Sequence, residues 1–247
     1  MIEIRNLHYQ YPDGTLALKD VNLTISEGEF LLICGPNGSG KTTLIRLIGR
    51  LLKPTTGSIH LNGHDMFHPS KEARTRVGMV FQDPDSQIVG ETVREDVAFG
   101  PENMGLPVEE VTERVDWALS VMGLKDLSEK PCYLLSGGEK RRLAIAGVLA
   151  MKPQMILFDE PFSFLDYPGI QEVLKHMIRL NREGHTLVVT THDVEKVIAH
   201  VDRIAIIHDG ELKMTGSPDE LIKKLPIFGI RPPCYALLGK EKISWLE

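Results

Sequence analysis

The chain has 247 residues, 42% of them hydrophobic, enough to bury a sizeable core as one large domain or two small ones. A formal net charge of −6, with basic residues dispersed apart from Lys140-Arg141-Arg142, excludes the broad basic footprint of a nucleic-acid binder. Three widely separated cysteines show no metal or redox spacing and fit a reducing cytoplasm, and no window approaches the roughly 20 apolar residues needed to cross a bilayer.

In chain order, "MIEIRNLHYQY" and "ALKDVNLTI" predict strands on either side of a Pro12-Asp13-Gly14 turn. The opening ten residues mix acids and bases and lack the apolar stretch of a signal peptide. "FLLICG" is a continuous apolar run, as expected of a parallel strand buried on both faces, and Cys34 within it reads as a small buried thiol. A glycine loop follows. "KTTLIRLIGRLL" then places Leu44, Leu47, Ile48, Leu51 and Leu52 at helical spacing, before Pro54, Gly57 and Asn62-Gly63 punctuate a return to short strands.

From Asp83 to about Gly147 the pattern changes to helices joined by turns. Val108, Val111, Val115, Ala118, Leu119 and Met122 share one face, and Ser136 with Glu139 forms a capping box at a later helix start. "QMILFDE" is again a strand, and Ile170, Val173, Leu174, Met177 and Ile178 mark a helix ended by Gly184. "TLVVTTH" and "RIAIIHDGELKMTG", turning at Asp209-Gly210, supply further strands, and Ser217-Pro218-Asp219-Glu220 opens another helix. Beyond Leu225 the chain is Pro-rich and patternless. Strands alternating with crossover helices predict an α/β fold around a parallel sheet, with a main domain over 1–225, a helical insertion at about 83–147 and a tail over 226–247.

Three motifs carry chemistry. "GPNGSGKT" fits a phosphate loop between strand and helix: Gly35, Gly38 and Gly40 let the backbone wrap phosphates, Lys41 brings charge near the β and γ groups, and Thr42 is placed for Mg²⁺. "MILFDE" ends in two carboxylates whose side chains alternate along a strand, so Asp159 is expected to face a metal shell and Glu160 to orient or deprotonate water. "LLSGGEKRRLAIAG" is a second anion-binding helix start, in which Ser136, Gly137 and Gly138 expose backbone N–H groups at a positive end. One nucleotide does not need two such sites. Two successive glycines also weaken a helix, and capping alone leaves them unexplained.

The phosphate loop, "LSGGE", "ILFDE" and "TTHD" occur in the order found in ATP-binding cassette (ABC) ATPases, and the chain resembles that family from Met1 to about Leu225. The resemblance implies the P-loop NTPase fold of that type, with an N-terminal antiparallel β subdomain and an inserted α-helical subdomain. It also implies that ATP and Mg²⁺ lie between two cassettes arranged head to tail. Gly35, Pro36, Asn37, Gly38, Ser39, Gly40, Lys41, Thr42 and Thr43 of one would then face Ser136, Gly137 and Gly138 of the other.

By the same resemblance Gln82 contacts Mg²⁺ or water, Thr42 and Asp159 complete the metal shell, Glu160 and His192 act on the γ-phosphate, and Asp166 belongs to a loop joining the two sites. Tyr11 resembles the aromatic that stacks on adenine, with Tyr9 as the alternative. "EPFSFLDYPG" departs from the common pattern with Phe162 for Thr and Tyr167 for Pro, and Glu139 stands where Gln is frequent.

"FQDPDSQIVGETVREDVAFGPENMGL" and "AIAGVLAM" are similar to segments of the ATPases of energy-coupling-factor (ECF) transporters, importers of vitamins, cobalt or nickel. That branch implies a second ABC ATPase subunit, identical or related, a transmembrane coupling subunit and a membrane substrate-capture subunit. It implies no nucleic acid, and a place on the cytoplasmic face of the membrane. A generic ABC importer ATPase, and a soluble cassette acting on nucleic acid or the ribosome, are the alternatives.

Overall fold

Two sheets organise the chain. The computed structural model describes residues 1–67 and 77–246. An antiparallel sheet of order β2-β1-β4-β5 is built from β1 (Ile2–Gln10), β2 (Leu16–Ile25), β4 (Thr56–Leu61) and β5 (His64–Asp65). A second sheet, of order β10-β9-β3-β8-β7-β6, comprises β3 (Phe30–Cys34), β6 (Val77–Val80), β7 (Met155–Asp159), β8 (Thr186–Thr191), β9 (Arg203–His208) and β10 (Glu211–Gly216). All its neighbours are parallel except β10, which returns from β9 through Asp209 and Gly210, both at positive φ.

Every residue of β3, β7 and β8 is buried, which is why β3 and the first four residues of β7 read as apolar runs, while β8 buries Thr186, Thr190 and Thr191 beside its apolar residues. Alternate side chains enter two cores. Leu31 and Ile33 join the antiparallel sheet and the helix α1 (Lys41–Ile48). Phe30, Leu32 and Cys34 join the opposite core, with α2 (Val93–Asn103), α3 (Val108–Val121), α4 (Gly137–Ala150) and α5 (Tyr167–Arg182).

Caps set the helix starts. Thr92 with Glu95 and Ser136 with Glu139 form reciprocal capping boxes, and Asp166 accepts from Gly169 N at 3.0 Å. Helix α1 is shorter than its apolar spacing predicts: Gly49 caps it, Arg50 turns at φ 61°, and Leu51 and Leu52 fall outside.

The segment after Leu225 also departs from its patternless reading. It forms a 3₁₀ turn at Ile222–Phe228 and the short helix α7 (Cys234–Leu237), after α6 (Pro218–Leu221). Phe228, Tyr235, Trp245 and Leu246 pack on the core, and Gln171 Nε2 donates to the Trp245 carbonyl at 2.8 Å. These contacts are tertiary and leave no local periodicity.

Candidate nucleotide site

The parallel register brings the carboxyl ends of four strands together: Val80 pairs with Phe158, Asp159 with Thr190, and Cys34 with Thr191. The loops that follow these ends carry Gln82, Glu160, His192 and the glycine loop, which is where open α/β sheets bind ligands.

The glycine loop is closely fitted. A Cβ at Gly35 would lie 2.1 Å from the Ile207 carbonyl, and Gly40, at φ +107°, would place one 2.7 Å from the Ala17 carbonyl. Only glycine fits there. Lys41 is 6% exposed, and its Nζ donates to the Gly35 and Pro36 carbonyls at 2.8 and 3.0 Å. Burial holds its ammonium below the ordinary lysine range, against the pull of Glu160, Cys34 and Asp159. A cation so poorly solvated gains strongly from an arriving phosphate. Ser39 Oγ is buried with no hydrogen-bond partner, a polar atom left for a ligand. Asn37 and Gly38 are exposed at the rim.

Thr42 Oγ1 donates to Asp159 Oδ1 at 3.0 Å, and Thr190 Oγ1 donates to the same oxygen at 2.8 Å. Hydroxyl and carboxylate oxygens side by side are the hard donors that Mg²⁺ prefers. Among the described residues no group of three or more His, Cys, Asp or Glu could hold a metal ion. Mg²⁺ needs none when phosphates and water fill its shell.

Asp159 ends β7, and Glu160 turns away at φ 46°, so a left-handed residue rather than strand alternation separates the two carboxylates. Glu160 Oε1 accepts from His192 N at 3.0 Å and lies 2.9 Å from His192 Nδ1. The Glu160 side chain is 11% exposed and that of His192 55%, so the pair runs from a buried base to an accessible ring.

Gln82 is exposed and lines, with Phe81, Asp83, Asp159 and Phe164, a cleft of about 820 Å³. Tyr11 lies just beyond β1, half-buried, with its hydroxyl 2.9 Å from Thr43 Oγ1 and its ring edge-on to Tyr9 at 4.9 Å. Tyr9 itself is buried among the antiparallel sheet's core side chains.

The remaining candidates lie apart. Ser136, Gly137 and Asp166 are exposed, and Ser136 through Gly138 make no hydrogen bond to the glycine loop among the described residues. Glu139 closes the cap, its carboxyl held below the usual range by the Ser136 amide. A Cβ on Gly137 would meet only the Phe164 carbonyl, at 3.9 Å, so this helix end and the Asp166 loop adjoin. Two residues escaped sequence reasoning. Thr190 is a polar side chain inside an apolar strand, a readable signal, whereas Arg141 sits in a basic triplet that reads as solvated surface.

The family described as ABC transporter matches residues 18–163, which span the glycine loop, the Ser136 helix and both carboxylates. The chain belongs to the ABC transporter family. The cassette is 43% identical over 224 residues to the energy-coupling factor transporter ATP-binding protein EcfA of Methanocaldococcus jannaschii, covering 90% of this chain and 80% of that one. Among solved structures it is similar to cbiO1 from Clostridium perfringens, part of the ABC transporter complex cbiONQ, with a TM-score of 0.82, 38% identity and coverage of 92% and 94%. It is also similar to a dimeric ATP-binding cassette in a post-hydrolysis state bound to ADP and Pi, with a TM-score of 0.78, 33% identity and coverage of 88% and 99%. The cassette is therefore an ATPase of the energy-coupling-factor type, with the ABC ATPase fold.

Proposed function

We propose that this cassette drives import of a micronutrient, a vitamin such as biotin or a cobalt or nickel ion, from the cytoplasmic face of a membrane. Its partners are a second cassette, a transmembrane coupling subunit and a membrane subunit that captures the cargo. The likeness to energy-coupling-factor ATP-binding proteins supports the class of cargo, and the observation that supports the pairing is a separation within the chain. Lys41, Thr42, Asp159, Glu160 and His192 are gathered within one chain, while at the helix end Ser136 and Gly137 are exposed and, among the described residues, Ser136 bonds only within its own helix. Head-to-tail pairing brings each glycine end to the other chain's triphosphate. No described helix is long and apolar enough to cross a membrane, so in this reading other chains form the channel.

In the assembled site Gly35 to Thr43 wrap the phosphates, Tyr11 stacks on adenine, and Lys41 neutralises the β and γ groups. Thr42, Asp159 and Gln82 would hold Mg²⁺, which when bound neutralises charge on the phosphate oxygens. Glu160 accepts a proton from water as its oxygen attacks the γ-phosphorus, and ADP leaves from inorganic phosphate. His192 holds Glu160 through its backbone amide and Nδ1 and meets the γ-phosphate. Asp166 sits at the junction of the two sites.

A groove of about 620 Å³ beside the Gln82 loop, lined by Gln87, Val89, Asp96, Phe99, Met104 and Met151, suits an apolar helix of the coupling subunit. Closure and reopening of the cassette pair would then move that helix. Two measurements on the full chain test the proposal. Specific hydrolysis should fall on dilution as pairs separate, and integral membrane proteins should co-purify from native membranes; dilution-independent turnover with only soluble partners overturns it.

A further inference from the structure

Helix α4 presents a glycine end at the surface, yet the largest side chain it buries is a cation. Arg141 is 1% exposed. No carboxylate hydrogen-bonds to it among the described residues; Nη1 donates to the Phe81 carbonyl at 2.5 Å and Nη2 to the Gln82 carbonyl at 2.6 Å. Its Nε is buried with no partner. Burial pushes the guanidinium down to about 10, against the pull of Asp83 and Asp159. An unpaired cation is costly inside a protein, and any apolar residue would build the same helix turn. What arginine alone supplies is a rigid fork matched to two successive carbonyls.

Neighbouring side chains tie the same loop to the same helix. Lys140 Nζ lies 2.6 Å from Asp85 Oδ1. Gln87 accepts from Phe81 N at 2.9 Å and donates to the Ala144 carbonyl at 3.4 Å. Arg141 follows Gly137 by four residues, one helical turn or roughly 6 Å along the axis. A helix over that length moves as a rigid rod.

We propose that Arg141 is a positioning residue linking the two nucleotide sites of the pair: it makes Gln82 of its own site follow the helix whose glycine end meets the partner's nucleotide. This rests on the proposed head-to-tail pairing and on the metal-site role of Gln82. A shift of α4 toward the partner's phosphate then draws the Phe81 and Gln82 backbone with it. Each site is thereby set by occupancy of the other.

The test uses the full chain carrying Glu160→Gln, which is expected to hold ATP unhydrolysed, and reads amide hydrogen exchange with and without MgATP. With Arg141 present, segments 136–140 and 81–88 should both slow at least fivefold. With Arg141→Gln added, 136–140 should slow as before while 81–88 changes less than twofold. Arg141→Lys, which keeps the charge but not the fork, should give an intermediate response and guards against a variant that fails to fold.

In the Glu160 wild type, Arg141→Gln should lower kcat at least tenfold while leaving ATP affinity within twofold. Undiminished slowing of 81–88 in the Arg141→Gln protein overturns the proposal and leaves the pairing intact. If 136–140 does not slow even with Arg141 present and ATP bound, the pairing itself fails, and the proposal with it.

Discussion

The glycine loop and the Ser136 helix, the two regions proposed to meet phosphate, differ in what surrounds them. At the glycine loop Lys41, Asp159 and Glu160 are buried, and each is held by a neighbour in the site: the Gly35 and Pro36 carbonyls, Thr42 and His192 respectively. At the Ser136 helix the cap is satisfied internally, Gly137 is exposed and Gly138 is half-buried. The first region holds its side chains in place through their own hydrogen bonds; the second is a capped surface that meets no other anion-binding group among the described residues. Flanking it are exposed apolar side chains, Tyr133, Leu134, Phe164 and Tyr167, with Phe164 held at φ 63°. A bulky residue in left-handed backbone and 88% exposed is a costly arrangement for an isolated chain. In the proposed pair a second cassette covers it.

This contrast is most sharply tested at Glu160. Glu160→Gln should lower hydrolysis on the order of 10²- to 10⁴-fold while ATP still binds, leaving an ATP-bound dimer visible by light scattering. Unchanged turnover would remove Glu160 from its role. Gly138→Ala probes the other region: a methyl there meets nothing within 4 Å in its own chain. The folded chain should lose no stability in thermal melting and gain up to about 1 kcal/mol. Hydrolysis should nevertheless drop roughly 10- to 100-fold if a partner's phosphate must approach that backbone.

Lys41→Met should weaken ATP binding roughly 10- to 100-fold by calorimetry, the scale of lost charge-assisted hydrogen bonds. It should also stabilise the nucleotide-free chain at neutral pH. A lysine whose folded pKa lies below 10.5 weakens the fold wherever it is charged in both states, and that penalty vanishes as pH rises through the lowered value toward 10.5. The melting advantage of the variant should therefore shrink at high pH. Smallest is Ser136→Ala, which removes a cap and should cost about 1 kcal/mol in denaturant unfolding, leaving ATP binding by the isolated chain unchanged. Together the four outcomes separate residues that serve their own chain's nucleotide from those that serve the partner's.

Much of the site was legible because its chemistry is local. A glycine loop between strand and helix, a capping box, and carboxylates at the end of an apolar run are each set by neighbours within a few residues. The burial of β3 was equally readable, since a strand covered on both faces favours an unbroken apolar run; in β8 the buried Thr186, Thr190 and Thr191 interrupt that signal.

What local spacing could not yield, and the family resemblance gave only in part, depends on strand register and on packing between distant segments. Asp159 meets Thr190, and Glu160 meets His192, because β7 lies beside β8 in one register, and Asp159 reaches Thr42 because β3, which leads into the glycine loop and α1, flanks β8 on its other side. The end of α1 at Gly49, the docking of the segment around Trp245 on α5, and the burial of Arg141 under the Gln82 loop all join residues far apart in the chain. Local chemistry fixed which groups are available and how each helix and strand begins. Only the folded sheet, by placing four strand ends side by side, decided which of those groups touch.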